Sequence, residues 1–222
     1  ASMSARGVDV ALIYDTVGCF DTPSGYFAQL AAAGVRCLAF NPPAFRRLHW
    51  LDLRNHRKVA VIDGNTAFLG GTNVGDEYAG FGESMARWRD VGVRLDGPAA
   101  RELDAIFRQT WARETQDELA PCAGRTVDDG DADVTLINGT PHQARSVIRR
   151  SFSLTMAAAR HSIRIVTPYF LPGPRVLRAL LRAVRSGVQV QLLLPSVSDI
   201  PLVQLVGRAW LRPLLQAGVE VY

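Results

Sequence analysis

The period of apolar and polar positions changes several times along this chain, and each change marks an element. Residues 7–14, Gly7-Val8-Asp9-Val10-Ala11-Leu12-Ile13-Tyr14, are apolar almost throughout and close on Asp15, which predicts a buried strand. Residues 23–33 fit a helix with its stop at Gly34. Residues 35–40 predict a second strand, broken by Asn41-Pro42-Pro43. Two short strands over residues 59–62 and 66–69 flank Asp63-Gly64-Asn65, a hairpin loop. A strand is expected over residues 90–95. A helix is expected over Pro98–Thr115, where Leu103, Ile106, Phe107 and Trp111 recur at helical spacing.

Composition shifts at residues 121–133, which carry proline, glycine and four aspartates. The run lacks the spacing and closing glutamate of a calcium loop, so it reads as a linker. Beyond it the pattern predicts a helix over 140–160, a strand over 162–167, a helix over 174–186 stopped by Gly187 and a strand over 188–194. A helix over 202–216 follows, bent or interrupted by Pro213, and a strand opens at Val219. The second half repeats the first. Residues 6–12 resemble residues 186–192, and LAAAGV at 30–35 resembles LLQAGV at 214–219. The glycines concerned are 27 residues apart in one half and 31 in the other. A recurring strand–helix–strand unit predicts two similar α/β lobes, each a mixed, mostly parallel sheet flanked by helices and each incomplete in this chain. The expected boundaries are 1–120 for the first lobe, 121–132 for the linker and 133–222 for the N-terminal part of the second.

Bulk composition narrows the class only a little. The 222 residues are 48% hydrophobic and 21% charged, the usual balance of a soluble globular chain. Three cysteines, an odd number at no zinc spacing, read as idle thiols. No apolar run approaches the ~20 residues of a membrane span. Net charge is +4, which suits anionic partners such as phospholipid headgroups or nucleic acid without choosing between them. Lys58 is the only lysine among 25 basic residues.

That lysine stands two residues after His56, which on a strand puts both on one face. An ammonium there would hold a phosphate's charge, while a neutral imidazole would attack phosphorus or move a proton. Gly70-Gly71 lets the backbone approach a ligand, and Asn73 offers amide donors to a phosphate oxygen. Asp63, in the turn, reads as a brace of the loop through backbone N–H groups.

The combined spacing H-x-K-x4-D-x6-G-G-x-N resembles the HKD motif of the phospholipase D superfamily, residue for residue at His56, Lys58, Asp63, Gly70, Gly71 and Asn73. Residues 67–73 (AFLGGTN), 88–90 (WRD), 95–99 (LDGPA), 168–172 (PYFLP) and 198–203 (SDIPLV) are similar to the bacterial cardiolipin synthase branch. The resemblance implies two phospholipase D-like lobes, each giving one HKD motif to a shared site, with no metal or cofactor. One histidine would form a phosphohistidine and the other would protonate the leaving alcohol. It implies a catalytic set of His56, Lys58, Asp63 and Asp90, with Asp90 orienting His56, and a phosphate-binding set of His56, Lys58, Gly71 and Asn73. Asp15, ending the first strand, would also face the site. The implied reaction is phosphatidyl transfer to make cardiolipin from phosphatidylglycerol or a related donor. The implied setting is peripheral, on the cytoplasmic side of the cell membrane.

Nucleic acid is disfavoured as a partner, since no basic stripe with interleaved aromatics is seen. Arg145, Arg149, Arg150 and Arg160 read as a solvated helix face. The chain departs from the family pattern in one respect: it holds no second HKD motif. His49, His142 and His161 each lack a lysine two residues on. The expectation is a soluble, inactive piece of a two-motif enzyme. The alternative is a phosphodiesterase or nuclease that works as a homodimer with one motif per chain.

Overall fold

Four helices of this chain end in the same way, and those endings organise the strands that follow. After α1 (Ser2–Ala5) the chain turns at Gly7 and enters β1 (Ala11–Asp15). After α2 (Tyr26–Ala32) it turns at Gly34 and enters β2 (Arg36–Phe40). At Gly34 φ is +86°, a left-handed value that glycine adopts without a Cβ clash. Its N–H bonds the Ala31 carbonyl at 2.9 Å, and the Val35 N–H bonds Leu30 at 3.0 Å. This is a Schellman motif. The same pair of bonds recurs at Gly7-Val8, Gly187-Val188 and Gly218-Val219. The two stretches that match in sequence therefore match in backbone, as helix exits that launch a strand.

The computed structural model describes residues 1–42, 54–79, 88–122, 130–139 and 144–222. Pro43, His49, His142, most of the expected linker and the start of the expected 140–160 helix lie outside them. The chain divides into two units, Ala1–Leu136 and Ile137–Tyr222.

In the first unit β1 and β2 pair in parallel, Ala11 opposite Arg36 and Asp15 opposite Phe40, with α2 as the crossover that parallel strands require. β3 (Lys58–Ile62) and β4 (Thr66–Gly70) form the expected hairpin. Its turn closes through the Asn65 N–H and the Ile62 carbonyl, with φ of +51° at Asp63 and +63° at Gly64. Positive φ at both central residues is what an Asp-Gly hairpin turn supplies. After the short α3 (Asp76–Ala79), β5 (Gly92–Asp96) adds to β4, Gly70 opposite Gly92. α4 (Pro98–Thr115) has the expected bounds, with Pro98 in its first turn and Gln116 left-handed at its end. It buries Ala100 and Leu103 against Ala67 of the hairpin, with Val59, Val61, Leu69 and Leu95 around them.

In the second unit α5 (Ala144–Ala158) precedes β6 (Ser162–Val166), α6 (Gly173–Arg185), β7 (Gln189–Leu193), α7 (Pro201–Gln216) and β8 (Glu220–Val221). The three strands pair in parallel in the order β6-β7-β8. Leu180, Leu192 and Leu214 are fully buried, each contributing roughly 1.5–3 kcal/mol of apolar transfer. α7 continues through Pro213, which forgoes one backbone N–H without ending the helix.

The architecture is mixed α/β, with parallel and antiparallel sheets flanked by helices, as the pattern predicts. Two local expectations change. β1 begins at Ala11 because Gly7 and Val8 serve the turn. β5 begins at Gly92, so Asp90 precedes the strand instead of opening it. The short α1 ends in the same cap as the helix before Gly187.

Candidate active site

His56 stands where the chain passes from the end of the parallel pair into the hairpin. Asp15 fixes that passage. Its Oδ1 accepts the Val17 and Gly18 N–H groups at 3.0 and 3.1 Å, a local turn at the end of β1. Its Oδ2 accepts the Asn55 N–H at 2.8 Å and faces the Arg54 Nε at 3.1 Å. Arg54 also donates through Nη2 to the carbonyls of Phe40, at 3.2 Å, and Asn41, at 2.8 Å, where β2 ends. The residues just before His56 are thus stapled to the carboxyl ends of two parallel strands. That is the edge where open α/β sheets hold their sites.

The imidazole of His56 is exposed, and Lys58 is half-buried at the first position of β3. The Lys58 Nζ donates to the His56 carbonyl at 3.2 Å. Partial desolvation lowers the His56 pKa from its ordinary value, the Lys58 charge lowers it further, and Asp15 opposes both. Neutral imidazole is the form that can attack or accept a proton. Desolvation also lowers the Lys58 pKa, against the pull of Asp15 and Asp90.

Gly70 and Gly71 make room for protein. A Cβ at Gly70 would meet the Val91 carbonyl oxygen at 2.6 Å and the Gly92 Cα at 3.1 Å. At Gly71 it would meet the Asp90 carboxylate, with Oδ1 at 2.8 Å and Cγ at 2.9 Å. The sequence assigned this glycine pair to a ligand. In the structure the space is filled by β5 and by Asp90.

The expected site residues separate into two groups. His56, Lys58, Gly71 and Asp90 come together at one end of the hairpin. Asn73 follows β4 and is exposed. Asp63 is not with them. It lies at the other end of β3, five strand residues from His56, exposed in the turn. The turn's backbone requirement accounts for it there. Asp90 also departs from expectation. Its Oδ1 accepts the Val91 N–H at 2.7 Å, and no hydrogen bond joins it to His56. The carboxylate whose field reaches His56 is Asp15; Asp90 acts on Lys58. The anchoring roles of Asp15 and Arg54 were not read from sequence. The available signal was an acid closing a buried parallel strand. His161 lies exposed before β6, and its backbone carbonyl accepts the Gln189 N–H at 3.0 Å.

A parallel α/β frame thus carries a His-x-Lys hairpin, with Asp15 and Asp90 near the lysine. A family model described as "Cardiolipin synthase, PLD-like domain" matches residues 1–111 and 154–222, and the chain belongs to that family. It is 38% identical over 224 aligned residues to a cardiolipin synthase of Geobacillus thermodenitrificans, covering 99% of this chain and 45% of that protein. It is 40% identical to cardiolipin synthase 2 of Bacillus cereus, covering 99% of this chain and 44% of the relative. The chain thus spans a little under half the length of the curated relatives it matches. A polyphosphate kinase structure from Porphyromonas gingivalis shares the fold, with a TM-score of 0.52 at 16% identity over 89% of this chain and 31% of the other.

Proposed function

We propose that this chain supplies one histidine half-site of a phosphatidyltransferase that makes cardiolipin from phosphatidylglycerol or a related donor. The observation that carries this reading is His56 itself. It is anchored through Asp15 and kept toward its neutral form by desolvation and by Lys58. In the proposed reaction an imidazole nitrogen bonds to phosphorus and the bond to the leaving glycerol oxygen breaks. That alkoxide takes a proton from a second histidine. The same base then removes a proton from an incoming phosphatidylglycerol hydroxyl, which attacks phosphorus and releases His56. Lys58 and Asn73 hold the non-bridging oxygens, and Asp90 steadies Lys58.

The second histidine comes from another HKD motif, so the 222 residues alone are inactive. One acid–base group is worth roughly 10²–10⁴ in rate. The enzyme works peripherally, at the cytoplasmic face of the cell membrane. Among the described residues no helix is long and apolar enough to cross it.

The test is cardiolipin formation from labelled phosphatidylglycerol by the longest natural polypeptide containing this chain, wild type against His56→Ala. Loss of transfer in the variant is expected. Equal cardiolipin from both would overturn the assignment. DNA cleavage without lipid transfer, rising with the square of chain concentration, would favour a homodimeric nuclease instead.

A further inference from the structure

Between residues 134 and 198 the chain has nine arginines and neither aspartate nor glutamate. The other residues hold 16 basic and 21 acidic side chains, so this stretch alone makes the chain net positive. In the second unit it builds α5, β6, α6 and β7. α6 sets Arg175, Arg178, Arg182 and Arg185 at steps of three, four and three residues, which is one stripe of a helix. The opposite face buries Ala179, Leu180 and Ala183, so the stripe is held outward.

All four arginines are exposed, and among the described residues none makes an ion pair. Arg178 and Arg182 donate through Nε to the Pro174 and Arg178 carbonyls one turn back, at 3.0 and 3.3 Å, which lays their stems along the helix. Like charges at these spacings destabilise a helix, and among the described residues no ion pair offsets them. An external anion would. The stripe also lines a groove of about 580 Å³, completed by Leu181 and by Ser153 of α5. That volume suits a single headgroup. Next to Ser153, α5 leaves Ile148 and Phe152 on one side of the helix 39% and 57% exposed. Arginines on α6 and exposed apolar side chains on the α5 helix packed against it fit the boundary between headgroups and acyl chains. A nucleic-acid groove would instead present aromatic faces among its basic residues, and none lines this one.

We propose that the α5–α6 groove docks the chain on an anionic phospholipid bilayer, with headgroup phosphates held by the α6 arginine stripe. The proposal rests on the phospholipid reading of function and names a surface for it in the unit that does not carry His56. The test is co-sedimentation of the 222-residue chain with phosphatidylcholine vesicles, with and without phosphatidylglycerol. The wild type should pellet only with the anionic vesicles. It should be released between about 0.1 M and 1 M salt, as the Debye length falls from about 10 Å to 3 Å. Arg→Gln at positions 175, 178, 182 and 185 together should weaken binding about fivefold per arginine, roughly 10²–10³-fold in all. Arg→Lys at the same four positions should keep it. Absence of transfer in the longer polypeptide would leave the dock standing, which separates docking from transfer.

Equal binding by the glutamine variant, binding to neutral vesicles, or tighter binding to duplex DNA than to the anionic vesicles would each overturn the proposal. Circular dichroism of the glutamine variant checks that α6 is intact. If it is not, the lysine variant decides: its failure to bind also overturns the proposal.

Discussion

Alanine placed at Gly70 and at Gly71, one at a time, separates fold from site. Neither glycine has positive φ, so alanine strains neither backbone position. At Gly70 the new methyl would sit 2.6 Å from a backbone oxygen of Val91 and 3.1 Å from the Gly92 Cα. Strand backbone has to move to admit it. Overpacking of this kind costs about 1–3 kcal/mol, and stiffening of the unfolded chain returns about 0.4–1 kcal/mol. A net loss of about 1–2 kcal/mol is expected. At Gly71 the atoms nearest the methyl are the carboxylate end of the exposed Asp90 side chain, which can turn away. Stability should stay within about 1 kcal/mol of wild type. The effect appears instead at Lys58. Asp90 holds the Lys58 pKa up against desolvation, so displacing Asp90 lets it fall further below the ordinary lysine value. Because Lys58 is the only lysine, lysine labelled at Cε gives a single side-chain NMR signal to titrate. Hydrogen exchange of the β4 and β5 amides reads the stability of both variants. Equal destabilisation by the two alanines, or an unchanged or raised Lys58 pKa in Gly71→Ala, would refute the reasoning.

Two further outcomes follow from the same geometry. Asp15→Ala removes the partner of Arg54 in a pair whose side chains are 13% and 18% exposed, so a loss of about 2–3 kcal/mol is expected, seen as faster exchange of β1 and β2 amides. A loss under about 0.5 kcal/mol would mean that the brace contributes nothing. Lys58→Gln removes a charge that lowers the His56 pKa, so His56 should titrate at higher pH in the variant. In the wild type the ring stays neutral to lower pH than an ordinary histidine. A downward shift in the variant, by proton NMR of the imidazole, would reverse this account.

Strand and helix positions were largely legible because burial imposes a period. The 98–115 helix could be read to the residue, from Gly97-Pro98 at its start and the Leu103–Trp111 spacing within it. The repeat was legible because its signal lies in two glycine caps of fixed geometry. At the site, the local part was legible: His56 and Lys58 lie where a strand edge puts them. The non-local part was not. Forty residues separate Asp15 from Asn55, and nothing in either neighbourhood announces the bond. Gly70 and Gly71 signalled close approach correctly but could not say by what. Asp63 was assigned to the site by motif, although a five-residue strand carries it to the other end of the hairpin. The α6 arginines went unread because a charged stripe in sequence looks like any solvated helix face. Its lack of counter-charges shows only when the whole 134–198 stretch is considered.

The Asp15 brace bears on the order in which this unit can assemble. The β3–β4 hairpin closes through a local turn, a process of about 1–10 µs. Joining Asp15 to Asn55 closes a loop of 40 residues, at an entropic cost of about 3 kcal/mol before any contact repays it. A chain can therefore hold a finished hairpin, motif included, while His56 still moves freely at its root. The residue before the histidine gains its Asp15 anchor only when β1 and β2 have paired and presented their ends. In the proposed reading, the anchoring beside His56 waits on this long-range closure, and the hairpin that carries the motif can form ahead of it.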